Sequence, residues 1–213
     1  MKLQGQTFLL HAYKAMFWES EQTLILADLH LGKSQHFRKN GIAVPGEIAT
    51  ENFNHLARLI HFFQPKEILI LGDLFHSTYN VMWEVLGGFC KKYSPINFGL
   101  VPGNHDILEA ENYEKAGIEL LDPIIERGCF VFSHHPLEDQ PKDLYLMHGH
   151  IHPGIRLVGK GRQSMRLPAF HFGKRSAVLP AFGAFTGLAM IYPEDGDQVF
   201  GITKNQKIFS IAS

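Results

Sequence analysis

Cysteine is scarce in this sequence, and its scarcity excludes a disulfide-stabilised extracellular scaffold. Only Cys90 and Cys129 occur among the 213 residues. They do not stand at the CxxC spacing of metal-binding or redox pairs. Each lies among apolar neighbours, so the sequence predicts two buried thiols in a reducing compartment.

The chain also lacks a long uninterrupted hydrophobic run. The longest apolar stretch, 177–192, is broken by proline, glycine and threonine, and it is shorter than the roughly 20 residues that a membrane-spanning helix needs. The apolar run Phe8-Leu9-Leu10 is too short for a signal peptide. We therefore expect a cytoplasmic protein with no membrane segment. The length and the ordinary globular composition, with 45% hydrophobic residues, favour one domain over residues 1–213.

A strong net charge is missing too, since the formal charge is −1 at pH 7. No overall basic field marks the chain as a nucleic-acid-binding protein. The charge is uneven, however, because residues 144–193 contain no Asp or Glu. The six basic residues of this acid-free segment are Arg156, Lys160, Arg162, Arg166, Lys174 and Arg175. Two interpretations stay open: solvated strands that simply lack acids, or a local surface that faces an anion.

Helices and strands alternate in the first half of the predicted structure. The apolar spacing predicts helices over 47–63 and 80–92 and a short helix at 112–116. The predicted strands are 15–18, 23–27, 68–71, 96–101, 118–121, 129–133 and 144–147, and short strands dominate from 155 onward. This order favours a layered α/β fold with parallel or mixed sheets.

Histidine is abundant, with 13 residues, and many of them follow predicted strands. Five apolar strands each run directly into Asp, Asn or His. The resulting motifs are Asp28-x-His30, Gly72-Asp73, Gly103-Asn104-His105-Asp106, His134-x-Pro136 and Gly149-His150-x-His152. Because sites in open α/β sheets form at the carboxyl ends of the strands, we expect these side chains to meet at one edge.

The donor types in these motifs predict a centre for first-row divalent metals. Carboxylate, amide and imidazole ligands suit such metals, and the absence of Cys disfavours softer ones. The donors are too many for one ion, so they fit two ions that share a carboxylate. With two dications, Asp28 and Asp73 leave a net charge of about +2, which attracts a phosphate. A metal pair can stabilise both the attacking and the leaving oxygen of a phosphoryl displacement.

Together the five motifs resemble the calcineurin-like metallophosphoesterases. The resemblance implies an α/β fold of two mixed β-sheets packed as a sandwich and flanked by helices. It implies one metal held by Asp28, His30, Asp73 and His152, and a second held by Asp73, Asn104, His134 and His150, with Asp73 shared. It also implies that His105 contacts the phosphate and assists the leaving oxygen, and that Asp106 orients and polarises the His105 imidazole.

Longer motifs resemble the ligase-associated branch of this family, the DNA damage response endonucleases. These motifs are Asp28-Leu29-His30-Leu31-Gly32-Lys33, Phe37-Arg38-x-x-Gly41-Ile42-x-x-Pro45, His148-Gly149-His150-Ile151-His152-Pro153 and Leu179-Pro180-Ala181-Phe182-Gly183-Ala184-Phe185-Thr186-Gly187. The likeness spans residues 7–192. It implies a manganese-dependent phosphodiesterase and DNA endonuclease that acts in DNA repair, in association with a DNA ligase, a nuclease and a helicase. Iron, zinc and nickel stay open as alternatives to manganese.

Two other functions stay open on the sequence alone. A small-molecule phosphoesterase for nucleotides, cyclic nucleotides or another phosphodiester metabolite needs the same two metals but no polynucleotide groove. A non-catalytic scaffold on the same fold is expected to have lost ligands, and every expected ligand is present in this sequence.

Four residues beside the motifs are candidates for substrate contact. His76 and His148 lie close to motif residues, and Lys33 and Arg38 add positive charge near the first metal loop. Each has an alternative: His76 could be structural, His148 could support a ligand from behind, and Lys33 and Arg38 could be solvated.

Two further choices concern neighbouring residues of the same type. His135 competes with His134 for the ligand position, and the His-x-Pro spacing favours His134. Phe170 and Phe172 alternate in the acid-free segment, and we predict them as core strand residues rather than as platforms for base stacking.

Overall fold

The computed structural model describes residues 1–31, 47–75, 81–159, 161, 163–183 and 186–211, without the side chains of 47–50 and Val81. The predicted α/β sandwich of two mixed sheets is confirmed, with seven strands in one sheet and nine in the other. Among the described residues, no helix is both long enough and apolar enough to cross a membrane.

The first sheet contains the amino-terminal strands in their chain order. Its strands are β1 (Lys2–Leu3), β2 (Gln6–His11), β3 (Ala15–Trp18), β4 (Thr23–Ala27), β5 (Glu67–Leu71), β6 (Asn97–Val101) and β7 (Glu119–Leu120). The first four strands pair antiparallel, and β4 to β7 pair parallel. The parallel half brings the carboxyl ends of β4, β5 and β6 to one edge, which we call the site edge.

The second sheet follows later in the chain and is also mixed. Its strands are β8 (Ile124–Arg127), β9 (Phe130–Ser133), β10 (Tyr145–His148), β11 (Pro153–Val158), β12 (Ser164–Phe172), β13 (Ser176–Val178), β14 (Ala189–Met190), β15 (Gln198–Ile202) and β16 (Ile208–Ile211). The main path runs β14-β11-β12-β13-β10-β9-β8, and β15 pairs with both β12 and β16. Strands β9, β10 and β13 are mutually parallel.

The strands of the first sheet divide their side chains between two cores. In β4, Leu24 and Leu26 pack into a cluster that includes side chains of the helices α1 (Glu47–Phe63), α2 (Val81–Lys92) and α3 (Ala110–Lys115). The alternate residues Ile25 and Ala27 pack into a second cluster between the two sheets. This period of two is what a strand buried on both faces requires.

Aromatic residues of the second sheet fill the space between the sheets. Phe130, Phe132 and Tyr145 are buried there together with Phe170 and Phe172. The prediction that the last two are core residues is therefore confirmed. Their rings lie in the core between the two sheets and are not available for base stacking.

The sequence-based elements are confirmed except in a few places. Strands β1, β2 and β8 were not predicted. The prediction of two buried thiols is half right, because Cys90 is buried and Cys129 is only partly buried.

Candidate metal centre

The loops that follow β4 and β5 are held side by side by their own backbones. The amide of Asp28 donates to the carbonyl of Gly72 over 3.1 Å, and the amide of His30 donates to the carbonyl of Asp73 over 2.9 Å. The amide of Leu31 continues the ladder to the carbonyl of Leu74 at 2.9 Å. The parallel pairing of the two strands thus extends past their ends and fixes the motif side chains at the site edge.

Five of the motif residues adopt a left-handed backbone conformation. They are Asp28 (φ 54°), His30 (φ 47°), Asp73 (φ 51°), His150 (φ 65°) and His152 (φ 52°). Non-glycine residues are uncommon in this region, and each costs about 1–3 kcal/mol there. Such strain persists where the surrounding structure imposes it, and it concentrates at functional sites. No pattern in the sequence indicates these conformations.

One group of donors gathers around His152. Its Nε2 lies 3.3 Å from Oδ1 of Asp28 and 3.5 Å from Nε2 of His30. The His30 Nε2 in turn lies 3.7 Å from Oδ2 of Asp73. Asp28, His30 and Asp73 are buried. The structure therefore brings together all four residues expected at the first metal.

A second group gathers around His134. The Nδ1 of His134 donates to the carbonyl of Leu71 over 3.0 Å, so Nε2 carries the lone pair in the neutral ring. That Nε2 lies 3.2 Å from Oδ1 of Asn104, 3.2 Å from Nδ1 of His150 and 3.5 Å from Oδ1 of Asp73. These are the four residues expected at the second metal.

Asp73 lies between the two groups, with one carboxylate oxygen toward each. Oδ2 faces His30 and Oδ1 faces His134. The second sheet reaches the same place from its own side, since the amide of His150 donates to Oδ2 of Asp28 over 3.0 Å. Each group thus combines residues of both sheets.

The donor atoms of both groups fit a bound cation. Lone pairs of His134, Asn104 and Asp73 face one another at hydrogen-bond distance, and they repel unless positive charge lies between them. The pKa of His150 is lowered, mainly by partial burial and secondly by the neighbouring charge of His134. A lowered pKa favours the neutral imidazole that a metal ligand must be.

Three glycines pack directly on the donor side chains. A Cβ at Gly72 would lie 2.2 Å from Nδ1 of His134, and one at Gly149 would lie 2.6 Å from Oδ2 of Asp28. A third, at Gly103, would lie 2.4 Å from Oδ1 of Asp73. Contacts this short do not occur, so the site requires glycine at all three positions. They belong to the sequence motifs, but their steric role becomes clear only in the structure.

His105 lies at the rim of the centre beside the first group. Its ring centroid is 5.7 Å from that of His30, with the rings nearly perpendicular. The backbone amide of His105 donates to Oδ1 of Asp73 over 3.1 Å. Its side chain is partly exposed, which suits a group that meets a substrate.

Asp106 has a structural task that the sequence did not indicate. Its Oδ1 accepts hydrogen bonds from the amides of Leu74 and Phe75 at 3.0 and 3.4 Å, and its Oδ2 accepts one from Gly103 at 2.9 Å. Burial raises the pKa of Asp106 to about 6, against the lowering effect of these amides. Asp106 thus ties the loop of Asp73 to the loop of His105.

The position of His148 favours the supporting role over substrate contact. Its side chain is 3% exposed, and its Nδ1 lies 3.0 Å from the carbonyl of Gly149. Burial lowers the pKa of His148 to about 4. A neutral imidazole that is buried behind the following loop is better placed to support that loop than to meet a substrate.

The alternative ligand His135 lies near the second group. Its ring centroid is 4.2 Å from that of His150, and His134, His135 and His150 can present three nitrogens within 4.8 Å of one another. His135 is exposed and His134 is buried. The remaining candidates His76, Lys33 and Arg38 lie outside the described residues.

Comparison with known proteins agrees with this geometry. The family model of the calcineurin-like phosphoesterases matches residues 22–181, which is most of the chain. This chain belongs to the calcineurin-like phosphoesterases. As a member of that family, it is a metal-dependent phosphoesterase. No curated protein sequence matches this phosphoesterase.

Solved structures similar to this phosphoesterase include two bacterial enzymes. The crystal structure of Pseudomonas putida nuclease MPE aligns with a TM-score of 0.83 and 25% identity, covering 99% of this chain and 98% of the other. The phosphoesterase Yfce from E. coli aligns with a TM-score of 0.46 and 12% identity, covering 89% and 98%.

Proposed function

We propose that this protein is a dinuclear metal-dependent phosphodiesterase that cleaves DNA as an endonuclease. The observation that carries the proposal is the position of Asp73, whose two carboxylate oxygens face two separate groups of donors. One carboxylate shared in this way is what a pair of metal ions a few ångströms apart requires.

Each proposed metal has four protein ligands. The first would be held by Asp28, His30, Asp73 and His152, and the second by Asp73, Asn104, His134 and His150. When bound, the two ions polarise the phosphate and activate water for attack on phosphorus. The hydrogen bond from His134 to Leu71 fixes one tautomer and so presents the correct nitrogen to the site.

His105 is the proposed catalytic residue of the protein itself. From the rim beside His30 its imidazole binds a phosphate oxygen and protonates the leaving oxygen. The hydrogen bonds that Asp106 accepts from three amides hold the His105 loop against the Asp73 loop. Asp106 is therefore a positioning residue in this proposal.

A DNA substrate is supported by similarity to a nuclease over nearly the full length of both chains. Manganese as the metal, a role in DNA repair with a ligase, a nuclease and a helicase, and a cytoplasmic location belong to the same proposal. They are supported by the motifs that resemble the ligase-associated branch of the family.

A metal-scanned activity assay tests the proposal. Protein freed of metal is reloaded with manganese, iron, zinc or nickel and given p-nitrophenyl phosphate, bis-p-nitrophenyl phosphate, single-stranded DNA or circular DNA. We expect hydrolysis of the diester and of DNA, opening of the circle, and the highest rate with manganese. Activity confined to small phosphoesters would contradict the DNA assignment, and metal-independent activity would contradict the dinuclear centre.

A further inference from the structure

A basic pocket lies at the site edge but outside the metal centre. Its cavity volume is about 260 Å³, and it is lined by the turn after β2, by α1, by β12 and by the turn after β15. Because β3 runs antiparallel to β4, the turn at 12–14 lies beside the carboxyl end of β4. Strand β12 runs antiparallel to β13, so residues 164–168 also extend past that edge.

Lys14 is the central basic residue of the pocket. Its Nζ donates to the carbonyl of Gly183 over 3.0 Å, which leaves two N–H donors with no protein acceptor in the described part of the chain. Its backbone is left-handed, with φ 60°, at a turn position where glycine would fit without strain. Burial lowers the pKa of Lys14 to about 8, so a nearby anion would favour its charged form.

Arg166 and Lys204 add two more positive charges to the lining of this pocket. Arg166 stands directly opposite Arg156 in the β11–β12 pair, although like charges in that relation are destabilising. The acid in the lining is Glu51, whose charge acts on Lys14 and whose Oε1 lies 3.8 Å from Nε2 of His55. The described lining thus has a surplus of cations that an anion would balance.

The pocket is connected to the metal loop by two hydrogen bonds, one from a side chain and one from a backbone amide. Asn52 of the lining donates through Nδ2 to the carbonyl of Leu29 over 3.3 Å. Gly183, which accepts from Lys14, donates its amide to the carbonyl of Asp28 over 3.0 Å. The pocket therefore borders the loop that carries Asp28 and His30.

We propose that Lys14, Arg166 and Lys204 bind a backbone phosphate of a polynucleotide whose scissile phosphate lies at Asp73. This inference rests on the proposed nuclease function and adds a second phosphate subsite to it. The subsite explains how a chain with net charge −1 holds a polyanion. Part of the acid-free segment, Arg156 and Arg166, lies on this side, whereas Lys174 lies in the turn between β12 and β13 at the opposite edge.

Binding measurements on charge-neutral variants test the subsite. The variant Arg166→Gln/Lys204→Gln changes two exposed side chains, and Lys14→Met removes a half-buried charge. The matched control Lys115→Gln/Lys174→Gln removes two exposed charges at the opposite edge. Affinity for a fluorescent single-stranded oligonucleotide is measured by anisotropy with calcium at several salt concentrations, and hydrolysis of bis-p-nitrophenyl phosphate is measured with manganese.

We expect Arg166→Gln/Lys204→Gln to bind the oligonucleotide about tenfold more weakly and to lose about 0.7 from the logarithmic salt slope, the value for one phosphate contact on a single strand. The control is expected to bind like the wild type, and all these variants to hydrolyse the small diester alike. Equal loss in variant and control would overturn the subsite, as would a dinucleotide that binds as tightly as the oligonucleotide.

The two proposals fail in different ways. If the wild type binds the oligonucleotide through these residues but cuts no DNA, the subsite stands and the nuclease function is wrong. If the wild type cuts DNA and Arg166→Gln/Lys204→Gln and Lys14→Met bind it unchanged, the nuclease function stands and the subsite is wrong.

Discussion

Gly103 lies directly against the carboxylate of Asp73. A Cβ at Gly103 would stand 2.4 Å from Oδ1 and 2.6 Å from the backbone nitrogen of Asp73. The contact joins the loop after β6 to the loop after β5 at the residue shared by the two donor groups. The position of the shared carboxylate therefore depends on a residue that has no side chain.

We predict that Gly103→Ala displaces Asp73 and removes the paired metals, with a loss of at least one metal per chain by elemental analysis. The matched control is Gly88→Ala, because a Cβ at Gly88 meets nothing within 4 Å. In α2 that change should stabilise the protein by about 0.5–1 kcal/mol and leave the metals in place. Full metal content in Gly103→Ala would show that the loop can shift without cost.

Asp73→Ala should abolish both phosphodiesterase activity and metal pairing, because it removes the carboxylate that both groups share. The measurements are the metal content and the turnover of bis-p-nitrophenyl phosphate with manganese. Asp195→Ala, at an exposed position, is the control. Near-normal turnover in Asp73→Ala would refute the shared ligand.

His105→Ala should keep both metals and lower kcat by about 10²–10⁴-fold, the usual range for the loss of a general acid. The slowing should shrink for a diester with a good leaving group, which needs less protonation. Release of metal from His105→Ala would instead make His105 a ligand.

His148→Ala should cost less activity than His150→Ala. His150 lies 3.2 Å from Nε2 of His134 in the second donor group, whereas His148 is buried behind the loop. Kinetic and thermal-melt measurements on both variants separate a loss of activity from a loss of stability. We expect His148→Ala to lower mainly the melting temperature and His150→Ala to lower mainly kcat. The opposite order in activity would mean that the ligands are assigned to the wrong histidines.

Adding manganese to the metal-free protein should raise its melting temperature. A ligand at 100 times its Kd stabilises the folded state by about 2.7 kcal/mol, which corresponds to roughly 5–10 °C for a chain of this length. Differential scanning fluorimetry of the wild type and Asp73→Ala measures this effect. An equal shift in both proteins would place the stabilising ion somewhere else.

Cys129 should react with a thiol reagent in the folded protein, and Cys90 should not. Burial raises the pKa of the Cys90 thiol to about 12, so its reactive thiolate is scarce at neutral pH. In the folded protein, Cys90 should begin to react only as the pH approaches that value. In the unfolded chain both thiols are exposed, and both should react near pH 8–9. Counting thiols in the wild type and Cys129→Ser checks the assignment.

Much of the fold could be predicted from the sequence because the buried strands are mostly apolar. After its first residue, each of the strands β4, β5 and β6 is a short apolar run, and the order of these strands with the helices indicates parallel pairing. Strands β2 and β8 were missed because they mix buried and exposed positions, as strands near sheet edges do. Each pairs with the following strand through a short turn, so the missing signal was the hydrophobic alternation and not the distance along the chain.

The candidate donors could also be predicted, since each follows an apolar strand at the same edge. What the sequence could not supply is the geometry among them. The left-handed conformations of Asp28 and His152, the direction of the Asp106 hydrogen bonds and the burial of His148 depend on the contact between the two sheets. Lys14 joins the pocket with Arg166 for the same reason, across more than 150 residues of chain.

The division of each donor group between the two sheets affects the order in which folding and metal binding can occur. A chain in which only the first sheet has formed holds Asp28 and Asp73 but lacks His134 and His152, so it offers neither metal a complete set of ligands. Metal uptake then reports that the two sheets have docked. A phosphoesterase assembled in this order gains its metal-dependent activity last, so copies whose sheets fail to dock stay inactive.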